Sequence, residues 1–451
     1  MRSTRTGPRR LALAWVVTLI ASGCASVDNL PLNAQAAQPN LVDAARATIA
    51  SPGSAKADDR LIAVVLSGGG SRAAAFGWGA LSELAATPTE TGTLADQVGV
   101  VSGVSAGAIL GASFVLDGVA GLPAFRERFL DVDVEAALRK GFSPANVVRA
   151  LDGGINDRKG LPNWLATNLL GKATFGDIDG VGKPRLLLHA TDLQNRAPFL
   201  FDQTSFDTIC SDRDDFPLSE AVAASAAVPV LFAPVILQNH RKSCSFGPPT
   251  PSAAAPRSAM DAHLRRTMAR YSDPSENLYI KLNDGGLVDN LGSLSLILAA
   301  GRDGSRAAPF DAQRAYRAKR VLFLVVDGST RVGRETNSSL KGPGLGKTVL
   351  SSVDAMIDTS SRQSLDSLQH WLPAWREALI AERCKRGLPG CRNLRVDLVR
   401  IALEDLTDPV AAKTFADSKT ALQLAPEMVD FFAASAKELL RRDPVFQSFM
   451  R

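Results

Sequence analysis

Apolar runs typical of buried strands alternate with helical patterns from Leu61 onward, and this alternation constrains the fold more than any other feature of the chain. The run 61–67 (LIAVVLS) precedes one helical segment, the run 98–105 (VGVVSGVS) precedes another, and further runs follow up to residue 329. Parallel strands need long connections, usually helices, and these cover both faces of the sheet. The sequence therefore predicts an α/β fold with three layers, α/β/α, and a mostly parallel central sheet.

Two stretches depart from this alternation. Residues 241–276 contain a segment rich in Pro, Ala and Ser, followed by a helical pattern, which indicates a surface insertion with a short helix. From residue 348 to 451 the pattern is mainly helical. We expect residues 61–451 to form one domain that carries both the insertion and this helical C-terminal part.

The segment 103–107 (GVSAG) fits the pattern G-x-S-x-G of a nucleophile elbow. A strand pattern precedes it and a helical pattern follows, as this sharp turn requires. Gly103 and Gly107 let the flanking elements approach closely, and Ser105 stands at the tip of the turn. We expect Ser105 to be a nucleophile, and the alternative is a serine that merely fits a tight turn.

A serine hydroxyl needs a base, and histidine is the usual partner. None of the four histidines lies in a loop after a predicted strand, where a triad histidine is expected. We therefore expect core or surface positions for all of them: His189, His240, His263 and His370.

Asp284 is a better candidate for the base. It ends the predicted strand 278–282 (LYIKL), and the carboxyl end of a strand is where sites form in α/β sheets. Gly285 and Gly286 allow a sharp turn there, and Asp289 and Asn290 are placed to brace it with side-chain hydrogen bonds. The alternative is a plain turn, because Asn-Asp-Gly-Gly is strong turn sequence.

A glycine-rich loop, 66–72 (LSGGGSR), follows the first predicted strand, and such loops commonly hold an anion. This loop, the segment 103–107 and the segment 284–286 (DGG), in that order, resemble the patatin-like phospholipase family. The stretches 189–202, 221–235 and 284–292 are similar to those of bacterial members. The resemblance covers residues 61–326 well and the C-terminal helices loosely.

The resemblance implies a patatin-like fold and a lipid acyl hydrolase of the phospholipase A type, without metal or cofactor. Ser105 would attack the ester and form an acyl-enzyme, and Asp284 would accept its proton directly. The oxyanion hole would comprise the glycine-rich loop: Gly68, Gly69, Gly70 and Arg72. Two roles stay open for Arg72, which either attracts lipid phosphates or fastens the loop. The longer family motif ends in glycine where Ala73 stands here, and we expect little disruption from alanine.

Other functions remain as alternatives. One is an esterase or thioesterase for small soluble substrates, and another is a non-catalytic anchored lipoprotein. A nucleotide-binding loop is less consistent with the sequence, because segment 66–72 lacks the G-K-[ST] ending of a P-loop.

The N-terminus predicts export. Residues 1–10 carry four arginines, residues 11–21 are apolar, and the small residues Ser22 and Gly23 precede Cys24. This order resembles a bacterial lipoprotein signal over residues 1–23, with Cys24 lipidated, although Ala21 replaces the usual leucine. An ordinary secretory signal is the alternative. Ala25 favours the outer membrane by the same resemblance, and residues 24–60 would be a tether.

Cysteine content agrees with export. Proximity in the sequence favours two disulfides, Cys210 with Cys244 and Cys384 with Cys391, and four free thiols are the alternative. The net charge of +5 is small for 451 residues, and no basic stripe with interleaved aromatic residues is present. We therefore expect no nucleic-acid partner.

Overall fold

The computed structural model describes residues 29–38, 59–138, 156–180, 182–229, 231–250, 258–302, 304–329, 340, 344–409, 414 and 421–451. The predicted signal peptide, Cys24 and residues 39–58 of the predicted tether lie outside the described residues. Among the helices that are described, none is long and apolar enough to cross a membrane.

The centre of the molecule is one mixed sheet. Its strands are β1 (Arg60–Leu66), β2 (Val98–Gly103), β3 (Arg185–Asp192), β4 (Ala197–Leu200), β5 (Val235–Gln238), β6 (Tyr279–Asn283), β7 (Arg320–Asp327) and β8 (Arg395–Ala402). The spatial order is β8-β7-β1-β2-β3-β6-β5, and β4 pairs with β3. The strands from β8 to β3 are mutually parallel, whereas β4 and β6 run antiparallel to β3. Sites in such sheets lie where parallel strands end.

Helices cover both faces. They are α1 (Gly70–Ala86), α2 (Ala106–Asp117), α3 (Leu122–Phe125), α4 (Val134–Leu138), α5 (Leu161–Leu165), α6 (Phe175–Ile178), α7 (Gln203–Thr208), α8 (Leu218–Ser225), α9 (Ala259–Tyr271), α10 (Gly286–Asp289), α11 (Ser293–Arg302), α12 (Ala312–Arg317), α13 (Leu345–Lys385), α14 (Pro426–Arg442) and α15 (Pro444–Met450). Short 3₁₀ and π turns and a two-residue hairpin complete the described structure.

Side chains of β1 show why three layers form. Successive residues point to opposite faces of a strand. Ile62 and Val64 therefore join a core that includes α1, α2 and α14, whereas Leu61 and Ala63 join a second core with α11 and α13. The three-layer α/β/α architecture expected from the alternation of strands and helices is confirmed.

The C-terminal part is mainly helical, as predicted, but it also contributes the strand β8, which the sequence analysis missed. Charged residues interrupt the apolar run of this strand at Arg395, Asp397 and Arg400. Such a pattern suits an edge strand, and within the described ranges β8 lies at the end of the sheet with β7 as its single neighbour.

Both expected disulfides form, Cys210–Cys244 and Cys384–Cys391, with Cα–Cα distances of 5.9 and 4.9 Å. The insertion predicted for residues 241–276 contains the expected helix as α9. Ser258 caps this helix by accepting the N–H of Asp261.

Residues 29–38, which we call the N-terminal strap, lie along the outer edge of β5. The side chain of Asn33 bonds to both the N–H and the carbonyl of Gln238, at 2.8 Å each. Farther along, the N–H of Ala36 donates to the carbonyl of Cys210 at 3.1 Å. The strap falls within the predicted tether, and it is docked because its polar groups pair with a sheet edge that would otherwise stay open.

Candidate active site

Ser105 lies in the turn between β2 and α2, and its backbone adopts a left-handed conformation with φ of 53°. The flanking glycines are required by close backbone approach. A Cβ on Gly103 would lie 2.5 Å from the carbonyl oxygen of Gly107, and a Cβ on Gly107 would lie 2.3 Å from that of Leu66. This is the strained strand-to-helix turn that the pattern G-x-S-x-G predicts.

Asp284 follows β6, and its side chain is buried. One carboxylate oxygen accepts the N–H of Gly286 at 2.8 Å, and the Ser105 side chain lies close enough to the same carboxylate to influence its pKa. Burial raises the pKa of Asp284 to about 6, although the Gly286 N–H and the Ser105 side chain act in the opposite direction. The turn thus presents to the serine a carboxylate that is ionised near neutral pH and still basic enough to take a proton.

Hydrogen bonds fix the backbone of the Asp284 turn. The N–H of Asp284 donates to the carbonyl of Ala227 at 2.9 Å, and the Thr191 hydroxyl donates to the carbonyl of Asp284 at 2.7 Å. The ring of His189 bonds to the carbonyl of Gly285 at 3.2 Å. The backbone that carries the Asp284 side chain is therefore held by hydrogen bonds on both sides.

The glycine-rich loop lies beside Ser105, since a Cβ on Gly68 would stand 3.2 Å from the Cβ of Ser105. The N–H of Gly68 donates to the carbonyl of Asn290 at 3.0 Å. Gly69 and Gly70 adopt positive φ values of 138° and 68°, and α1 begins at Gly70. Among the described residues, the N–H groups of Gly69 and Gly70 have no protein acceptor, so they remain available to an anion at the N-terminus of α1.

The family model described as Patatin-like phospholipase matches residues 64–297, just over half of the chain, and that range holds the loop, the elbow and Asp284. The chain belongs to the patatin-like phospholipase family. The resemblance read from the sequence is confirmed, and with it the general class of esterases and lipases that act on lipid esters. No curated protein matches the chain.

Arg72 of this patatin-like domain is buried, with 1% of its surface exposed. Its Nε donates to the carbonyl of Gly328 at 3.2 Å, just beyond the end of β7. Burial lowers the pKa of Arg72 to about 10, which leaves the guanidinium charged near neutral pH. Of the two roles left open by the sequence, the contact favours fastening of the loop.

Ser225 joins the two turns, and sequence analysis did not single it out. Its hydroxyl accepts the N–H of Ser105 at 3.1 Å, and its carbonyl accepts the N–H of Gly285 at 3.1 Å. The residue ends α8 within the stretch 221–235, which resembled bacterial family members. A serine among alanines carries no chemical signal of its own, so that resemblance was the only available indication.

The sequence suggested side-chain hydrogen bonds from Asp289 and Asn290, and among the described residues Asp289 forms them whereas Asn290 holds Gly68 through its backbone carbonyl. The Asn290 amide lies against two glycines, because a Cβ on Gly68 or Gly286 would approach its Oδ1 to 2.4 or 2.8 Å. Its buried Nδ2 has no hydrogen-bond partner in the part of the chain that the structure describes. Asp289 accepts the N–H groups of Gly292 and Leu294, which fixes the start of α11.

The histidines take structural positions. His189 is buried under the Asp284 turn, where its Nδ1 lies 2.8 Å from the Ser295 hydroxyl. Burial lowers the pKa of His189, and because a carbonyl can only accept, the neutral ring donates from Nε2 to Gly285. The remaining three histidines bond to backbone carbonyls away from Ser105: His240, His263 and His370. Within the described ranges, no group of three His, Cys, Asp or Glu side chains is placed to bind a metal ion.

Proposed function

We propose that this protein hydrolyses carboxylic ester bonds of lipids, as a phospholipase A, with Ser105 as the nucleophile and Asp284 as the base. The observation that carries the proposal is the placement of the Ser105 side chain beside the buried Asp284 carboxylate, close enough to influence the pKa of that carboxylate. A raised pKa makes that carboxylate a stronger base than an exposed aspartate, while it stays ionised near neutral pH.

In the proposed reaction, the Ser105 oxygen attacks the ester carbonyl carbon as Asp284 takes the hydroxyl proton. The tetrahedral intermediate then collapses, the C–O bond to the lipid alcohol breaks, and the proton on Asp284 passes to the departing oxygen. Water attacks the acyl-enzyme with Asp284 again accepting a proton. Fatty acid leaves, and Ser105 recovers its hydrogen.

The negative charge of the tetrahedral intermediate needs donors that are already in place. Gly69 and Gly70 supply N–H groups without protein acceptors among the described residues, at the N-terminus of α1. The N–H of Gly68 already donates to Asn290, and the Arg72 side chain donates to Gly328. We therefore assign the oxyanion hole to Gly69 and Gly70, with Gly68 giving the space that Ser105 needs and Arg72 holding the loop.

We further propose that the protein is an exported lipoprotein held by Cys24, in the outer membrane. The two disulfides support an oxidising compartment, where such bonds persist. The arginine-rich, apolar and small-residue order of residues 1–24 supports the signal. An anchored enzyme would act on the lipids of the membrane that carries it.

The test uses the full chain with phospholipid vesicles and, in parallel, a short soluble p-nitrophenyl ester. Mass spectrometry of the products should find free fatty acid and lysophospholipid with wild type and neither with Ser105→Ala. Hydrolysis of the soluble ester without any release from vesicles would contradict the lipid assignment and favour a soluble esterase.

A further inference from the structure

The N-terminal strap brings the start of the described chain to one place on the surface. The Asn29 side chain donates to the carbonyl of Pro234 at 2.9 Å, at the end of β5 nearest the site. Beside it, the guanidinium of Arg158 donates to the carbonyl of Leu30 and pairs with Glu220 at 3.2 Å. The strap is thus bound to the body at its first two residues.

Two leucines project from this place. Leu30 is 73% exposed and Leu231 is 52% exposed. Both residues contact the stretch 156–158, because the carbonyl of Leu30 accepts a hydrogen bond from the Arg158 side chain and the carbonyl of Leu231 accepts the N–H of Asn156 at 3.3 Å. We call these two side chains and the half-buried Phe232 the apolar rim. Two leucines this exposed on segments that contact the same stretch can both meet one apolar partner.

The apolar rim adjoins the active site. Asn29, Arg158 and Phe232 line one cavity, and Ala227 forms part of the same wall. The carbonyl of Ala227 accepts the N–H of Asp284 at 2.9 Å. The loop that carries Leu231 therefore runs from the turn of the proposed base to the strap.

The sequence before the strap limits where an anchor can lie. Cys24 precedes Asn29 by five positions, and five extended residues span at most about 18 Å. Residues 29–38 contact the body, so the tether between Cys24 and the body is shorter than the expected 24–60. A lipid on Cys24 would bring the bilayer to the same side of the molecule as Leu30.

We propose that the apolar rim rests on the surface of the lipid bilayer, with Leu30 and Leu231 inserted among the lipids beside the active site. This inference rests on the proposed function, since it takes the anchoring at Cys24 and the lipid substrate from there. It adds an orientation: the strap fixes the enzyme with its site toward the membrane instead of letting it swing.

The orientation is tested by the vesicle binding of a variant that has neither the lipid anchor nor the catalytic serine. The mature chain, residues 24–451 with Cys24→Ser and Ser105→Ala, is mixed with sedimentable vesicles of phosphatidylethanolamine and phosphatidylglycerol. Adding Leu30→Asp and Leu231→Asp together should reduce the bound fraction at least about fivefold. Leu278→Asp is the matched control, because Leu278 is 48% exposed but lies at the opposite end of β6 from Asp284. Equal binding by all three proteins, or an equal loss from the control, would overturn the proposal.

A second measurement does not depend on whether the fold tolerates aspartate at positions 30 and 231. Cys24→Ser leaves only disulfide-bonded cysteines, so single cysteines introduced as Leu30→Cys, Leu231→Cys or Leu278→Cys can be labelled with an environment-sensitive fluorophore. Vesicles should shift the emission to the blue at positions 30 and 231 but not at 278. No shift at 30 and 231 would contradict the orientation. Because neither readout uses catalysis, the outcome is independent of whether Ser105 hydrolyses lipids.

Discussion

The two turns that carry Ser105 and Asp284 are held in different ways. The Ser105 turn is set by close packing of backbone, with a strained φ at the serine and glycines that have no room for a Cβ. The Asp284 turn has an ordinary backbone at Gly285, with φ of −63°, and is fixed by hydrogen bonds from β3 and α8. The serine turn is therefore both strained and closely packed, whereas the aspartate turn has an ordinary φ and is held by hydrogen bonds and by the packing of Gly285, where a Cβ would lie 2.7 Å from the carbonyl oxygen of His189. Burial of the Asp284 carboxylate raises its pKa.

The largest expected effect separates basicity from position. Asp284→Asn keeps the shape of the turn but removes the base, so kcat/KM on a p-nitrophenyl ester should fall by about 10³-fold. The same variant should be more stable than wild type at neutral pH. Raising the pKa from 3.8 to about 6 corresponds to about 3 kcal/mol of stability that is fully present below pH 4 and is lost as the pH rises through 6.

Thermal unfolding of wild type and Asp284→Asn at pH 4 and pH 8 provides the check. The variant should gain stability at pH 8, by up to about 3 kcal/mol, and little at pH 4, where both side chains are neutral. A folded variant with wild-type activity would exclude Asp284 as the base, and equal unfolding temperatures at pH 8 would contradict the burial of its charge.

The steric character of the elbow can be compared with the softer contacts of one glycine in the Asp284 turn, Gly286. Gly107→Ala puts a Cβ 2.3 Å from a backbone oxygen, and we expect about a 10²-fold loss of kcat/KM because the serine must move. Gly286→Ala meets only side-chain oxygens, of Asn290 at 2.8 Å and Asp284 at 3.0 Å, which can shift. Its loss should be at least several times smaller, and the reverse order of the two losses would contradict the comparison.

The pH dependence of activity reports the burial of the Asp284 carboxylate directly. Asp284 must be ionised to accept the proton, so kcat/KM should fall about tenfold for each pH unit below 6 and level off above it. Steady-state rates on a non-ionising soluble ester, from pH 4 to 8, test this. A midpoint near 4 would mean that the carboxylate titrates as an exposed one.

The smallest effect concerns the link between the turns. Ser225→Ala removes the acceptor for the Ser105 N–H but leaves the Ser225 carbonyl that holds Gly285. One lost hydrogen bond predicts about a fivefold fall in kcat with KM unchanged. Ser219→Ala, a buried serine in the same helix, is the control and should be close to wild type. Equal values for both variants would show that Ser225 does not position the nucleophile.

Much of the fold and of the site could be predicted because the signals are local. The apolar runs of β1, β2 and β7 identify strands, and the glycines around Ser105 and after Asp284 identify two turns. The two predicted disulfides also hold. They could be predicted because each joins a cysteine to the next cysteine along the sequence.

The rest depends on contacts between distant segments. β8 was missed because its edge position lets charged residues interrupt the apolar pattern. The role of Ser225 comes from its hydrogen bond with Ser105, and that of Arg72 from its hydrogen bond with Gly328. No spacing in the sequence specifies either contact. Likewise, only the folded sheet reveals that the open edge of β5 accepts the strap at Asn33.

Covalent labelling of the full chain with a fluorophosphonate tests the central claim most directly, because the probe reacts with an activated serine and releases fluoride. The account predicts one label per chain, on the peptide that contains Ser105, no label with Ser105→Ala, and much slower labelling with Asp284→Asn. Labelling of a different serine, or an unchanged rate with Asp284→Asn, would contradict the Ser105–Asp284 pair.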